Sequence, residues 1–216
     1  MIINKEKYKV TIILATYNRK HIIRRAIQSV SGQTYRNYEL IIIDDGSRDG
    51  TYEHLKPILS RNTNIKYIYH TNRGTALSLN AGITIAQGKY ITFIDSDDEY
   101  EKRHIELRVK YSDRNRDVDL TYSKVKVIGK ESDYFVPDAR NKSRLIHIDE
   151  CITGATFFGK AEVFRELNGF KDLYGYDYEF FRRAVKKYTV EMLDLPTYKY
   201  YKDNKDSITN KMKKIK

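Results

Sequence analysis

The chain of 216 residues has a single cysteine, Cys151, so no internal disulfide can staple it. Without a disulfide framework it suits a reducing, cytoplasmic setting. No stretch approaches the ~18 consecutive apolar residues that a membrane-spanning helix needs. The opening MIINKEKYKV lacks the apolar core of a secretory signal. Two phosphate-binding signatures are also missing. No G-x-G-x-x-G follows the first apolar run, which argues against a dinucleotide fold, and no G-x-x-x-x-G-K-[ST] occurs, which excludes a P-loop. The histidines (His21, His54, His70, His104, His147) show no zinc-site spacing. No internal repeat or linker divides the chain, so one domain over residues 1–216 is expected.

Apolar residues make up 40% of the chain and charged residues 32%, a globular balance. Forty Lys and Arg against 29 Asp and Glu give a formal charge of +11. That excess favours an anionic partner: nucleic acid, a phosphorylated metabolite, or the acidic inner face of a membrane. The 19 tyrosines and 8 phenylalanines are spread along the chain with no compact basic-aromatic motif, which weighs against nucleic acid.

Unbroken apolar runs at Val10–Ala15 and Tyr38–Ile43 read as strands buried on both faces, and 65–69 and 90–94 read as two more. Between them lie helical stripes. Ile22, Ile23, Ala26, Ile27 and Val30 form one, with Gly32 as its stop. Tyr52, Leu55 and Leu59 form a second, capped by Asp49 and threatened by Pro57. Thr75–Ala86 forms a third, ended by Gly88. Such alternation means βαβ units, hence an α/β fold with a mainly parallel twisted sheet flanked by helices. Beyond residue 100 the pattern loosens: a helix over 101–113, a strand over Leu120–Ile128, polar and weakly patterned sequence over Ser132–Arg144, and helices over Ala161–Leu167 and Asp177–Lys187. A polar basic tail covers 196–216 and ends KMKKIK.

Ligands of open α/β sheets gather beyond the carboxyl ends of the strands. Here those ends read ATYN (15–18), DDGS (44–47) and DSDD (95–98). Acids there would repel a phosphate unless a divalent cation, which prefers hard oxygen ligands, sits between them. In an extended segment Asp95 and Asp97 face one side and can share a ligand. The same acids can instead be helix caps, and Asp98 has no further signal of its own.

The segments VTIILATYNR, IIIDDGSRDGT, NRGTALSLNAGI and GKYITFIDSDD, followed by ITGATFFGKAEVFRELNGF and YGYDYEFFRR, resemble the inverting family 2 glycosyltransferases of GT-A fold from about Lys9 to Thr209. The resemblance implies a nucleotide-sugar-binding half over about 9–100 and an acceptor-binding catalytic half over 101–195. It implies metal-dependent transfer from a nucleotide-diphosphate sugar, most simply UDP-linked, to an acceptor hydroxyl of a glycan or lipid-linked saccharide in surface glycan synthesis. Peripheral contact with the inner face of the membrane would fit such an acceptor. Ala15 and Tyr17 fall where base and ribose are held, Asp45 where a carboxylate accepts from the base ring N–H, and Asp95 near the ribose, with Ser96 among the nucleotide-sugar-binding residues. Asp97, with Asp95 directly or through water, matches the ligands of Mn²⁺ or Mg²⁺. Asp177 matches the catalytic base, although its position equally suits a helix cap. Arg73 is the candidate cation for the diphosphate, and a surface arginine is the plain alternative.

This chain departs from the family pattern at three places. Leu79 replaces an arginine, Tyr176 replaces an acid beside Asp177, and Asn204 stands where a histidine would complete the metal ligands. Two rivals are a sugar-nucleotide pyrophosphorylase, disfavoured because LATYNR lacks a glycine-rich loop, and a basic non-catalytic protein binding nucleic acid or membrane. Cys151 reads as a core residue rather than a nucleophile.

Overall fold

A computed structural model describes residues 7–141, 143–204, 206–207 and 210. The first half alternates as its periodicity predicts: β1 (Tyr8–Thr16), α1 (Ile23–Ser31), β2 (Tyr38–Asp44), α2 (Thr51–Leu59), β3 (Ile65–Tyr69), α3 (Thr75–Ile85) and β4 (Gly88–Phe93). The second half is more broken. It comprises β5 (Glu99–Tyr100), α4 (His104–Arg114), β6 (Leu120–Ser123), β7 (Lys126–Ile128), β8 (Phe135–Pro137), β9 (Leu145–His147), β10 (Phe158–Lys160), α5 (Ala161–Glu166), α6 (Tyr176–Ala184), β11 (Val190–Leu193) and β12 (Tyr198–Tyr201).

Seven strands form one mixed sheet in the order β11-β6-β10-β4-β1-β2-β3. The four amino-terminal strands run parallel, whereas β10 lies antiparallel to both β4 and β6. Successive residues of β1 serve opposite faces, as a period of two demands. Ile12 and Leu14 join the core under α1 and α2 with Ile23, Ile27 and Leu55. Ile13 joins the opposite core with Leu79, Ile83, Phe164 and Phe180. No helix among the described residues is long and apolar enough to cross a membrane.

Several expectations need correction. The run 120–128 is two strands in different sheets, because Lys124 and Val125 turn the chain from β6 out to β7, which pairs with β12. Alternation alone cannot register such a change of partner. The weakly patterned stretch 132–144 contains β8, paired with β9. Gly88 does not stop α3; it opens β4, where a Cβ would lie 2.4 Å from the Thr11 nitrogen, so only glycine permits this approach of β4 to β1. Pro57 does not break α2, because it falls in the last turn and removes only one helical N–H. The tail beginning at 196 includes a paired strand, β12: Tyr198 is fully buried, the rest of the strand is half-buried, and Lys202 and Asn204 are buried beyond it. KMKKIK lies outside the described residues.

Candidate active site

A cavity of about 720 Å³ opens at the carboxyl ends of β1, β2 and β4 and continues beneath the β8–β9 hairpin and the start of α6. Its lining includes Ala15, Tyr17, Asp45, Asp95, Ser96, Asp97 and Asp177, seven of the eight residues singled out from the sequence. Arg73 is absent from the lining; its Nε lies 3.4 Å from His70 Nδ1. Arg19, two residues after Tyr17, lines the cavity instead.

After β4 the chain makes a tight turn, with the Asp98 N–H donating to the Asp95 carbonyl at 3.1 Å. Burial, then the neighbouring charges of Asp97 and Asp177, push the Asp95 carboxyl up to about 7, and Arg19 works in the opposite direction. Asp95, Asp97 and Asp177 all line the cavity, so their charges bear on one another. Asp97 accepts from Asn204 Nδ2 at 2.6 Å, so the residue at the expected histidine position does meet Asp97, as a donor. The Asp97 carbonyl accepts from Arg25 of α1, whose guanidinium stacks 3.6 Å from the Tyr201 ring centroid.

Asp98 points away from this space into the protein. Its carboxyl accepts from Tyr198 Oη at 2.8 Å and from the Tyr201 N–H at 2.8 Å, and the Asp95 N–H donates to the same phenol at 3.1 Å. Burial first, then Asp97 and Asp95, raises its pKa well above the usual carboxylate range. Its role is therefore to tie the turn to β12, and one phenol anchors both ends of that turn.

Asp177 enters from the far half of the chain on the first turn of α6. Phe180, fully buried against Phe164 and Phe170, fixes that helix to the sheet, and its burial contributes roughly 2–3 kcal/mol. The Asp177 carboxyl accepts from the Gly154 N–H at 3.2 Å and the Tyr178 N–H at 2.9 Å. A Cβ at residue 154 would lie 2.7 Å from that of Asp177, so glycine is what lets the backbone donor approach. Burial raises the Asp177 pKa and the two N–H donors restrain the rise.

At the opposite wall the Asp45 oxygens accept from the N–H groups of Arg73 (2.8 Å) and Gly74 (2.9 Å), which shapes the loop ahead of α3. Each oxygen retains acceptor capacity. The Tyr17 ring is 46% exposed and has a face free for stacking. Cys151 is half-buried and also lines the cavity. Among the described residues no group of three His, Cys, Asp or Glu is arranged to hold a metal ion without help. Sequence reasoning missed Arg19, Arg25 and Tyr198; Arg19 alone had a local signal, its place directly after the first strand end.

Residues 11–189 match the family described as Glycosyl transferase family 2. The chain belongs to glycosyl transferase family 2. Similar proteins include an uncharacterized glycosyltransferase of Haemophilus influenzae, 34% identical over 195 residues, covering 82% of this chain and 60% of that one. Another, from Rickettsia felis, is 41% identical over 124 residues, covering 56% of this chain and 20% of its own. The chain thus spans 60% and 20% of these two relatives' own lengths, less than two thirds of each. Among solved structures, S. aureus TarS 1-349 in complex with UDP-GlcNAc superposes with TM-score 0.72 at 21% identity, covering 91% of this chain and 59% of that one. Mannosyltransferase PcManGT from Pyrobaculum calidifontis, in complex with GDP-Man and Mn²⁺, gives 0.70 at 19% identity, covering 91% and 58%. These likenesses show the fold, the GT-A-type sheet that the sequence resemblance implied.

Proposed function

We propose that this chain is a glycosyltransferase domain that moves a sugar from a nucleotide-diphosphate donor, UDP-linked, to an acceptor hydroxyl with inversion at the anomeric carbon. The observation that carries this reading is the convergence of Asp95, Asp97 and Asp177 on one cavity beside the free ring of Tyr17. Residues up to about 100 hold the donor, and the wall from 136 onward receives the acceptor.

On this reading Tyr17 stacks on the base, Asp45 accepts from its ring N–H, and Ala15 and Ser96 flank the ribose. Arg19, rather than Arg73, faces the diphosphate. The crowded carboxylates fit a divalent cation, since an Asp95 pushed up to about 7 by burial and then by like charges is relieved by positive charge between them. Asp97 and Asp95 would hold Mn²⁺ or Mg²⁺, with donor phosphate oxygens completing a set that the protein leaves short of three carboxylates. Such an ion supplies Lewis-acid stabilisation of the leaving diphosphate.

Asp177 serves as general base. The acceptor oxygen attacks the anomeric carbon as its bond to the diphosphate breaks. The bonding pair leaves with the diphosphate, and the hydroxyl proton passes to Asp177. Its burial-raised pKa makes it a stronger base than a solvated aspartate, and the Gly154 and Tyr178 N–H groups aim it. The acceptor is taken to be a glycan or lipid-linked saccharide of surface glycan synthesis, met at an acidic cytoplasmic membrane face that the charge of +11 favours.

Thermal unfolding with UDP-sugars, each with and without Mn²⁺, tests the donor assignment, because a true donor stabilises by mass action. Asp177→Asn is expected to keep that stabilisation while turnover falls by roughly 10²–10⁴-fold. Unchanged turnover would remove Asp177 from the mechanism.

A further inference from the structure

The acceptor side of the cavity runs against the charge of the molecule as a whole. Although the chain carries +11, the wall built from residues 136–178 sets four carboxylates, Asp138, Glu150, Asp172 and Asp177, against a single guanidinium, that of Arg140. Arg140 is already engaged, its Nε 3.2 Å from Asp138 Oδ1 and its Nη2 3.2 Å from Oδ2. No lysine or histidine lines the cavity among the described residues. The negative field is felt by the one thiol there: Cys151 is pushed up to about 11 by burial and then by Asp177, Asp138 and Glu150.

The surface between these acids is hydrocarbon. Val136 and Ile146, paired across the β8–β9 hairpin, line the cavity with Pro137, Ile148 and Ile152. Such a wall weakens dielectric screening, so a charge brought against it interacts more strongly than it would in water. Among the described residues of this wall, an anionic group would meet like charges and no cation besides Arg140, which is paired with Asp138. A neutral pyranose can donate its hydroxyls to the carboxylates and lay its C–H face on the aliphatic side chains.

We infer that the acceptor saccharide seated beside Asp177 is uncharged, and that uronates and phosphorylated sugars are rejected by this wall. The inference rests on the donor and acceptor halves assigned above. A lipid-linked acceptor satisfies it when its phosphates lie beyond the wall.

The test uses matched octyl glycosides: glucoside and glucuronide, galactoside and galacturonide, mannoside and mannuronide. Each is titrated against the protein with UDP and Mn²⁺ present, by ligand-observed NMR. In at least one pair the neutral member is expected to bind about ten-fold or more tightly than its uronate. That gap should narrow several-fold in the double variant Glu150→Gln/Asp172→Asn, and in high salt with the unaltered protein. The salt arm keeps the test decisive should the variant fail to fold. The inference is overturned if no pair prefers its neutral member, or if the gap survives both treatments. UDP resonances in the same samples separate the two failures. Bound UDP without a neutral preference sinks this inference alone, whereas unbound UDP sinks the donor reading beneath it.

Discussion

Asp97→Asn separates the electrostatic cost of the carboxylate cluster from its use. Asp95 is raised from an ordinary 3.8 to about 7, with burial the largest cause, Asp97 the next and Asp177 the third. A carboxyl that is harder to ionise in the folded than in the unfolded chain favours folding fully below pH 3.8, and that advantage drains away as the pH climbs to about 7. Across three pKa units the loss is about 4 kcal/mol at 1.36 kcal/mol each. Because burial leads, the share that travels with the Asp97 charge is about 1 kcal/mol. In EDTA, the variant should therefore gain about 1 kcal/mol over the parent in urea unfolding near pH 8. The gain should vanish near pH 5, where Asp95 is already protonated in the folded state. Stabilisation by Mn²⁺ with UDP should be lost in the same protein, since on the proposed reading the group that costs stability would also hold the cation. Equal destabilisation at both pH values would refute the reasoning, as would Mn²⁺ dependence that survives the substitution.

Further expectations concern the groups that aim the cluster. Gly154→Ala places a methyl 2.7 Å from the Asp177 Cβ; kcat should fall while UDP stabilisation persists, and wild-type kcat would show that the Gly154 N–H is dispensable. Arg19→Ala removes a charge that opposes the rise of Asp95. The donor KM should rise about ten-fold, as expected for a lost charge-assisted contact; an unchanged KM would return the diphosphate to another cation. Tyr198→Phe deletes the phenol shared by Asp98 and the Asp95 N–H. It should cost about 2 kcal/mol in urea unfolding, and a loss within error would show that β12 does not anchor the turn.

The amino-terminal half was legible because its information is local. Runs such as Val10–Ala15 and Tyr38–Ile43 are apolar on both faces, which only a covered parallel strand explains, and helical stripes between them leave one winding. The strand ends then paired Asp95 with Asp97 without any knowledge of distant contacts, and the resemblance carried by the ordered motifs singled out Tyr17 and Asp45. Beyond residue 100, strands of three or four residues carry too few alternations to fix a partner. Thus 120–128 divides between two sheets, and the supposed tail at 198–201 becomes the middle strand of one of them, anchored by the buried Tyr198.

Position along the chain also cannot tell which acids meet. Asp98 could pass for a helix cap until Tyr198, 100 residues away, is found holding it inside the protein. Asp177 looks like a helix cap until the packing of Phe180 brings α6 to the mouth of β4. Arg73 and Arg19 both follow strands and both flank the expected crevice, yet only Arg19 lines it. Periodicity determines which elements form, because it reports which face of each is hidden from water. Which side chains share a space depends on how those elements stack, and that is set by the whole core together.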